Sequence, residues 1–278
     1  MRVDAHHHLW RYTASEFEWI ADRMRALRRD FVASDLEAEM QVANVDMAVA
    51  VQARQTVEET RWLLDCAAKS PKIAGVVGWL PLSHRGFIEE NAELFFDPLL
   101  KGLRHVVQAE PLGFLEGADF NRGIAELQGT GLVYDLLIVP AQIEEAARFV
   151  DRHPQQIFVL DHLAKPDITH DGFAAWEMGF CELARREHVV CKLSGLVTEA
   201  DWAAWSDASL QPYFDTAVKA YGPARLMCGS DWPVLTVAST YARWWQTINA
   251  WLAPLSETER EQIESETAVR TYRLRDGL

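Results

Sequence analysis

The chain lacks any apolar run near the roughly 18 residues that a membrane-crossing helix requires, and no basic, apolar and small-residue leader precedes its first apolar segment. These absences predict a protein that stays off the membrane and in the cytoplasm. Cysteine is sparse: Cys66, Cys181, Cys191 and Cys228 stand far apart in apolar segments with no C-x-x-C pair, as expected of reduced thiols. Positive charge is short as well. Lys and Arg number 27 against 41 Asp and Glu, giving a net charge of -14, which argues against the cationic surface that nucleic acid or an anionic membrane would need. No G-x-G-x-x-G follows the first strand, and no Pro/Gly/Ser-rich linker or low-complexity tract divides the chain.

What the chain has is alternation. Its 49% hydrophobic and 24% charged residues give an ordinary globular balance. Eight short β-rich apolar segments recur: residues 2–8, MAVAVQ (47–52), IAGVVGWL (73–80), KGLRHVV (101–107), VYDLLIV (133–139), IFVLDHL (157–163), VVCKLSG (189–195) and RLMCGSD (225–231). Segments between them, such as TVEETRWLLDCAAKS (56–70), AQIEEAARFVDRHP (141–154) and FAAWEMGFCELARREH (173–188), carry apolar residues at helical spacing. Nearly continuous apolar strands suit a parallel sheet covered by helices. Eight βα units in this length predict an α/β fold, a (β/α)8 TIM barrel forming a single domain over residues 1–278, with an open doubly wound sheet as the alternative. The polar SETEREQIESE (256–266) predicts a solvated terminal helix, and Trp244, Trp245 and Trp251, at helical spacing, predict helix-packing core.

Chemistry in such a barrel gathers where the strands end. The opening MRVDAHHHLW puts Asp4, His6 and His8 on one face of an extended strand and Val3, Ala5 and His7 on the other. Two imidazoles on one face can hold one divalent ion, although His-x-His alone is equally a polar, hydrogen-bonded pair. Further polar groups end other strands: Arg104 and His105 on the fourth, Asp161 and His162 on the sixth, Lys192 and Ser194 on the seventh, Ser230 and Asp231 on the eighth. Their convergence on one bowl favours a site. Taken singly, Asp231 would be a helix N-cap and His162 a core histidine bonded to Asp161.

DAHHHLW, LDHLAKP (160–166), KLSG (192–195) and GSDWP (229–233) resemble the amidohydrolase-2 branch of the amidohydrolase superfamily, TIM-barrel hydrolases that include sugar lactonases. VQAR (51–54), VVGW (76–79), GLRH (102–105) and VVCKLSGLVTEADW (189–202) are similar to L-fucono-lactonase-like members. The resemblance implies that His6, His8, His162 and Asp231 surround a reacting water, with Asp231 taking its proton. One Zn2+ or other divalent metal would be held by His6, His8 and His162 or Asp231, and catalysis without metal stays open. Arg104 would stabilise the oxyanion, or with His105 hold sugar hydroxyls. The binuclear members use a Lys or Glu on the fourth strand and a His on the fifth; KGLRHVV and LLIVP lack both, so a two-metal centre is not expected.

Gln52, Arg54 and Trp79, at the ends of the second and third strands, are candidate substrate contacts or loop scaffolding, and Trp10 and Trp232 are placed at the pocket wall. Lys192 alternates with Val190 and Ser194 and points into the barrel, toward either a substrate group or an internal salt bridge. His7 is expected to pack behind the strand, and His84, His153, His170 and His188 to lie at the surface. The function expected is hydrolysis of L-fuconolactone or a related aldonolactone. A metal-dependent decarboxylase of the same branch and a non-catalytic sugar-acid-binding barrel are the alternatives, and a homo-oligomer stays open.

Overall fold

The computed structural model describes residues 1–170 and 172–274. Eight strands, β1 (Val3–His7), β2 (Met47–Val51), β3 (Ile73–Gly78), β4 (Leu100–His105), β5 (Val133–Leu136), β6 (Phe158–Leu160), β7 (Val189–Leu193) and β8 (Leu226–Cys228), pair in parallel in chain order. Parallel neighbours need crossover segments, and those segments supply the helices that cover the outer face. The ring closes between β1 and β8: Asp231 N donates to the His6 carbonyl at 2.8 Å, and His8 N to the Trp232 carbonyl at 2.6 Å. The (β/α)8 barrel expected from the alternation is the architecture found.

Val3, Ala5, Met47, Val49, Val51, Val77, Val133, Val159, Val190 and Met227 form an apolar plug inside the ring, joined by Tyr272 of the C-terminal helix Thr267–Tyr272. That helix closes one end of the barrel, so the polar groups collect at the other. The segment 256–266 is less solvated than its composition suggests. Glu257–Glu261 leads into a wide helical turn, Gln262–Glu266, that packs on β8 and buries Ile263 and Ser265. Trp244, Trp245 and Trp251 are buried as expected, on the helix Tyr241–Leu252.

Strands 6 and 8 are shorter than their apolar runs. After Leu160 the chain enters a left-handed turn, with φ of 52°, 53°, 58° and 51° at His162, Leu163, Ala164 and Lys165; Asp231 has φ 60°. Left-handed backbone costs non-glycine residues roughly 1–2 kcal/mol each, and it concentrates where a side chain must be aimed.

Candidate active site

Alternation does not carry through β1. Its register with β2 shifts between Asp4 and His7, so Asp4 and His6 do not share surroundings as expected. The Asp4 carboxylate accepts from the hydroxyls of Ser230 (2.6 Å) and Tyr241 (3.0 Å) and from the Ser230 amide (2.8 Å), while the His6 ring meets Lys192 and Asp161. Gly229 makes this approach of β8 to β1 workable, since a Cβ there would stand 2.8 Å from His6 Cβ and 3.1 Å from its amide nitrogen.

Three groups from the seam converge. His6 Nε2 is 3.2 Å from His8 Nε2 and 3.8 Å from Asp231 Oδ1, and His8 Nε2 is 3.3 Å from the same oxygen. Ligand atoms about 2.0–2.2 Å from a tetrahedral ion stand roughly 3.3–3.6 Å apart, so these three nearly match one face of a zinc tetrahedron. His8 Nδ1 donates to the Val51 carbonyl at 2.7 Å, which leaves the Nε2 lone pair facing the cluster. Nearly fully buried, with only His8 and Asp231 slightly open, this donor set fits a divalent ion.

His162 faces the same carboxylate, with Nε2 3.9 Å from Asp231 Oδ1 and Nδ1 2.8 Å from Ser194 Oγ. Gly195, at φ 70°, has no Cβ to strike this ring; one would lie 2.6 Å from His162 Nδ1. Burial holds the His162 pKa down to about 4 against the pull of Asp231, so the ring is neutral at neutral pH. Burial pushes Asp231 up, but His162, His8 and Lys165 outweigh it and leave the carboxyl below its usual range. Burial and the Lys192 ammonium keep His6 neutral too.

Beneath the cluster lie four buried charged side chains. Lys192 Nζ is 2.5 Å from Asp135 Oδ2 and 3.0 Å from Asp161 Oδ1, and Arg104 Nη1 is 2.9 Å from Asp161 Oδ2. Two cations offset two carboxylates, which leaves Asp231 as the uncompensated anion beside the neutral His6 and His162 rings. A second group with ligand-like spacing, His6, Asp161 and His162, draws on a carboxylate already claimed by Lys192 and Arg104, so the His6, His8 and Asp231 set is the better ion site.

The amidohydrolase family model matches residues 3–274. The chain belongs to the amidohydrolase family. It is 40% identical to an L-fucono-1,5-lactonase of Burkholderia multivorans, over 99% of this chain and 96% of that protein. It is 34% identical to an L-fucono-1,5-lactonase of Burkholderia ambifaria, over 91% and 86%. A crystal structure of an amidohydrolase from Burkholderia multivorans with bound zinc superposes with TM-score 0.96 at 39% identity, covering 99% of this chain and 100% of that one.

The remaining candidates divide within this amidohydrolase. Of its two expected surroundings Lys192 has the internal salt bridge, fully buried against Asp135 and Asp161. Arg104 is buried on Asp161 and the Gln52 carbonyl, and Gln52 Nε2 returns a bond to the Arg104 carbonyl at 3.1 Å, so this pair ties β2 to β4 beside His6. Trp232 is buried edge-on to Phe31, and Trp10 is buried against Phe17 and Phe31 with its Nε1 on the Arg29 carbonyl. Trp232 therefore packs as core, where a place at the pocket wall was expected. Trp10 and Arg54 border a hollow of about 200 Å³, where Arg54 pairs with Glu16 and Glu59. Trp79 and His105 border another of about 380 Å³ with His84 and Phe120, and Trp79 Nε1 donates to His105 Nδ1 at 3.3 Å.

His84 and His170 are exposed and His188 is half-buried, but His153 is buried, bonded to Asn121 at 2.9 Å. His7 stands apart from the cluster, as expected, though fully buried. Asp135 is not among the polar groups that end strands, because it sits within β5. Its signal was present: a carboxylate inside the apolar run VYDLLIV calls for a buried cation.

Proposed function

We propose that this amidohydrolase opens sugar-acid lactones, with L-fuconolactone or a related aldonolactone as substrate, by attack of water on the ring carbonyl to give the open aldonate. The observation that carries this reading is the single oxygen, Asp231 Oδ1, approached by Nε2 of His8, His6 and His162 at 3.3, 3.8 and 3.9 Å. A carboxylate held below its usual range, beside the neutral rings of His6 and His162, is in the state a general base needs.

In this reading His6, His8 and Asp231 hold one zinc ion, which when bound supplies Lewis acidity toward water and carbonyl. Asp231 takes the proton of the attacking water and returns it to the departing ring oxygen. His162, neutral and fixed by Ser194, donates a hydrogen bond from Nε2 toward the carbonyl side of the site. Arg104 and Lys192 orient the His6 ring from below. The hollows beside Arg54 and Trp79 are where the sugar acid would lie, with Arg54 reading hydroxyls on one side and the hydrogen-bonded rings of Trp79 and His105 walling the other. Four free cysteines, two of them buried, suit a reducing cytoplasm, and among the described residues no helix is long and apolar enough to cross a membrane.

The test is a pH-stat screen of aldonolactones with and without chelator. Ring opening of a deoxyhexonic or hexonic lactone, lost on chelation and restored by zinc, is the expected result. No turnover of any aldonolactone by the zinc-loaded protein would overturn the reading.

A further inference from the structure

Both nitrogens of the His6 ring face two polar neighbours of opposite demand. At Nδ1, Lys192 Nζ stands 3.1 Å away and Asp161 Oδ1 3.3 Å away. The ammonium can only donate and needs a lone pair on Nδ1; the carboxylate can only accept and needs a proton there. The same division holds at Nε2. There His8 Nε2, an acceptor because its own proton is spent on Val51, lies at 3.2 Å, and the Arg104 donor Nη1 at 3.4 Å.

A neutral imidazole carries one proton, so the four contacts sort into two patterns. In one, Lys192 donates to Nδ1 and Nε2–H donates to His8. In the other, Nδ1–H donates to Asp161, and the Nε2 lone pair faces Arg104 or an ion. Only the second ring can ligate through Nε2. We propose that His6 is a two-state tautomeric switch, and that zinc uptake requires Nδ1 to be handed from the Lys192 ammonium to the Asp161 carboxylate.

Two further observations support this. Asp161 Oδ1 is fully buried and has no hydrogen bond of good geometry despite the ammonium 3.0 Å away, so it has an acceptor site for Nδ1–H. Lys192 loses little in the exchange, because Asp135 Oδ2 stays at 2.5 Å and Tyr272 donates to Asp135 at 3.0 and 2.9 Å. Lys192 and Asp161 are thus opposed positioning residues: one disfavours the ion and the other admits it. This rests on the reading that His6, His8 and Asp231 hold zinc.

The experiment uses the full chain with 15N-labelled histidine, the His6 ring being assigned by loss of its signals in His6→Gln. Before zinc the ring should carry its proton on Nε2, and with one equivalent of zinc on Nδ1. Zinc affinity is then measured by competition with a chelating dye. Asp161→Asn should weaken it about 10–100-fold, as loss of a carboxylate behind a ligating histidine does elsewhere. The charge-balanced double variant Lys192→Met with Asp135→Asn should tighten it about tenfold, the size of one lost hydrogen bond to a charged group. Zinc uptake with the proton on Nδ1 throughout, or a double variant binding zinc no tighter than the parent, overturns the switch alone. Failure of zinc to bind overturns the metal reading and the switch together. The tautomer measurement needs no variant, so misfolding of the double variant does not remove the test.

Discussion

Asp231 Oδ1 lies 3.3 Å from Nε2 of His8, so one carboxylate oxygen ties the segment after the last strand to the end of the first. Asp231→Asn keeps the shape and removes the proton acceptor. We expect kcat/KM for the lactone to fall about 10²–10⁴-fold, as losses of positioned general bases do. A variant within severalfold of the parent would end the assignment of Asp231 as base.

The neutrality of His162 sets the acid limit of activity. Burial lowers its pKa to about 4, and Asp231 lies below its ordinary value, so both keep their working forms well below the ordinary histidine range. The acid limb of kcat/KM should therefore fall near pH 4, not near 6.5. A limb centred near 6.5 would show His162 to be solvated in the working enzyme.

His8 should matter more for metal content than for folding, because its ring contacts are with the cluster and one carbonyl. His8→Ala should purify with less than a tenth of the parent's zinc while keeping its far-UV circular dichroism. Parent-like zinc content would remove His8 from the ligand set.

The Asp4 carboxylate fastens the seam from outside the ring, through Ser230 and Tyr241. Burial raises its pKa to about 6, so it is mainly ionised at pH 7.5. Tyr241→Phe removes one donor to that charge and should cost about 1.5–3 kcal/mol in urea unfolding at this pH. A change under about 0.5 kcal/mol would mean the hydroxyl bond contributes nothing net.

His7 offers the opposite case. Its ring is fully buried with neither nitrogen in a hydrogen bond of good geometry, and burial drops its pKa to about 3. The unfolded chain protonates this group near 6.5 and the folded chain only near 3. Its effect on stability is therefore absent above about 6.5 and grows unfavourable as pH falls between those values. His7→Leu should raise the unfolding midpoint at pH 7 and reduce the acid-side loss of stability. A lower midpoint with unchanged acid sensitivity would contradict this account.

The ring of strands was legible because it follows from period: apolar runs set the strands, and polar residues ending five of them marked the bowl, while the choice of His6, His8, His162 and Asp231 among those residues came from the resemblance to the amidohydrolases. Less legible was whatever depends on irregular backbone. The bulge that separates Asp4 from His6 breaks the alternation used to pair them, and the left-handed turn at His162 ends β6 three residues before its apolar run does. Lys192 could be placed inside the barrel from its phase, but its partners come from β5 (Asp135) and from the turn after β6 (Asp161), and only closure of the ring brings them near. Trp232 packs into the core while Trp10 borders a hollow, because proximity to GSD or HHH along the chain says nothing about which side of the backbone an indole takes.

Tyr272 follows all eight strands in the chain, yet its hydroxyl reaches Asp135 in the middle of the ring. The ribosome must deliver this residue before the lattice under His6 has its final donor. A nascent chain that has already made every strand would therefore hold a ring whose ion pairs are still unsettled, and nicking before residue 272 should disturb zinc uptake at the opposite mouth of the molecule.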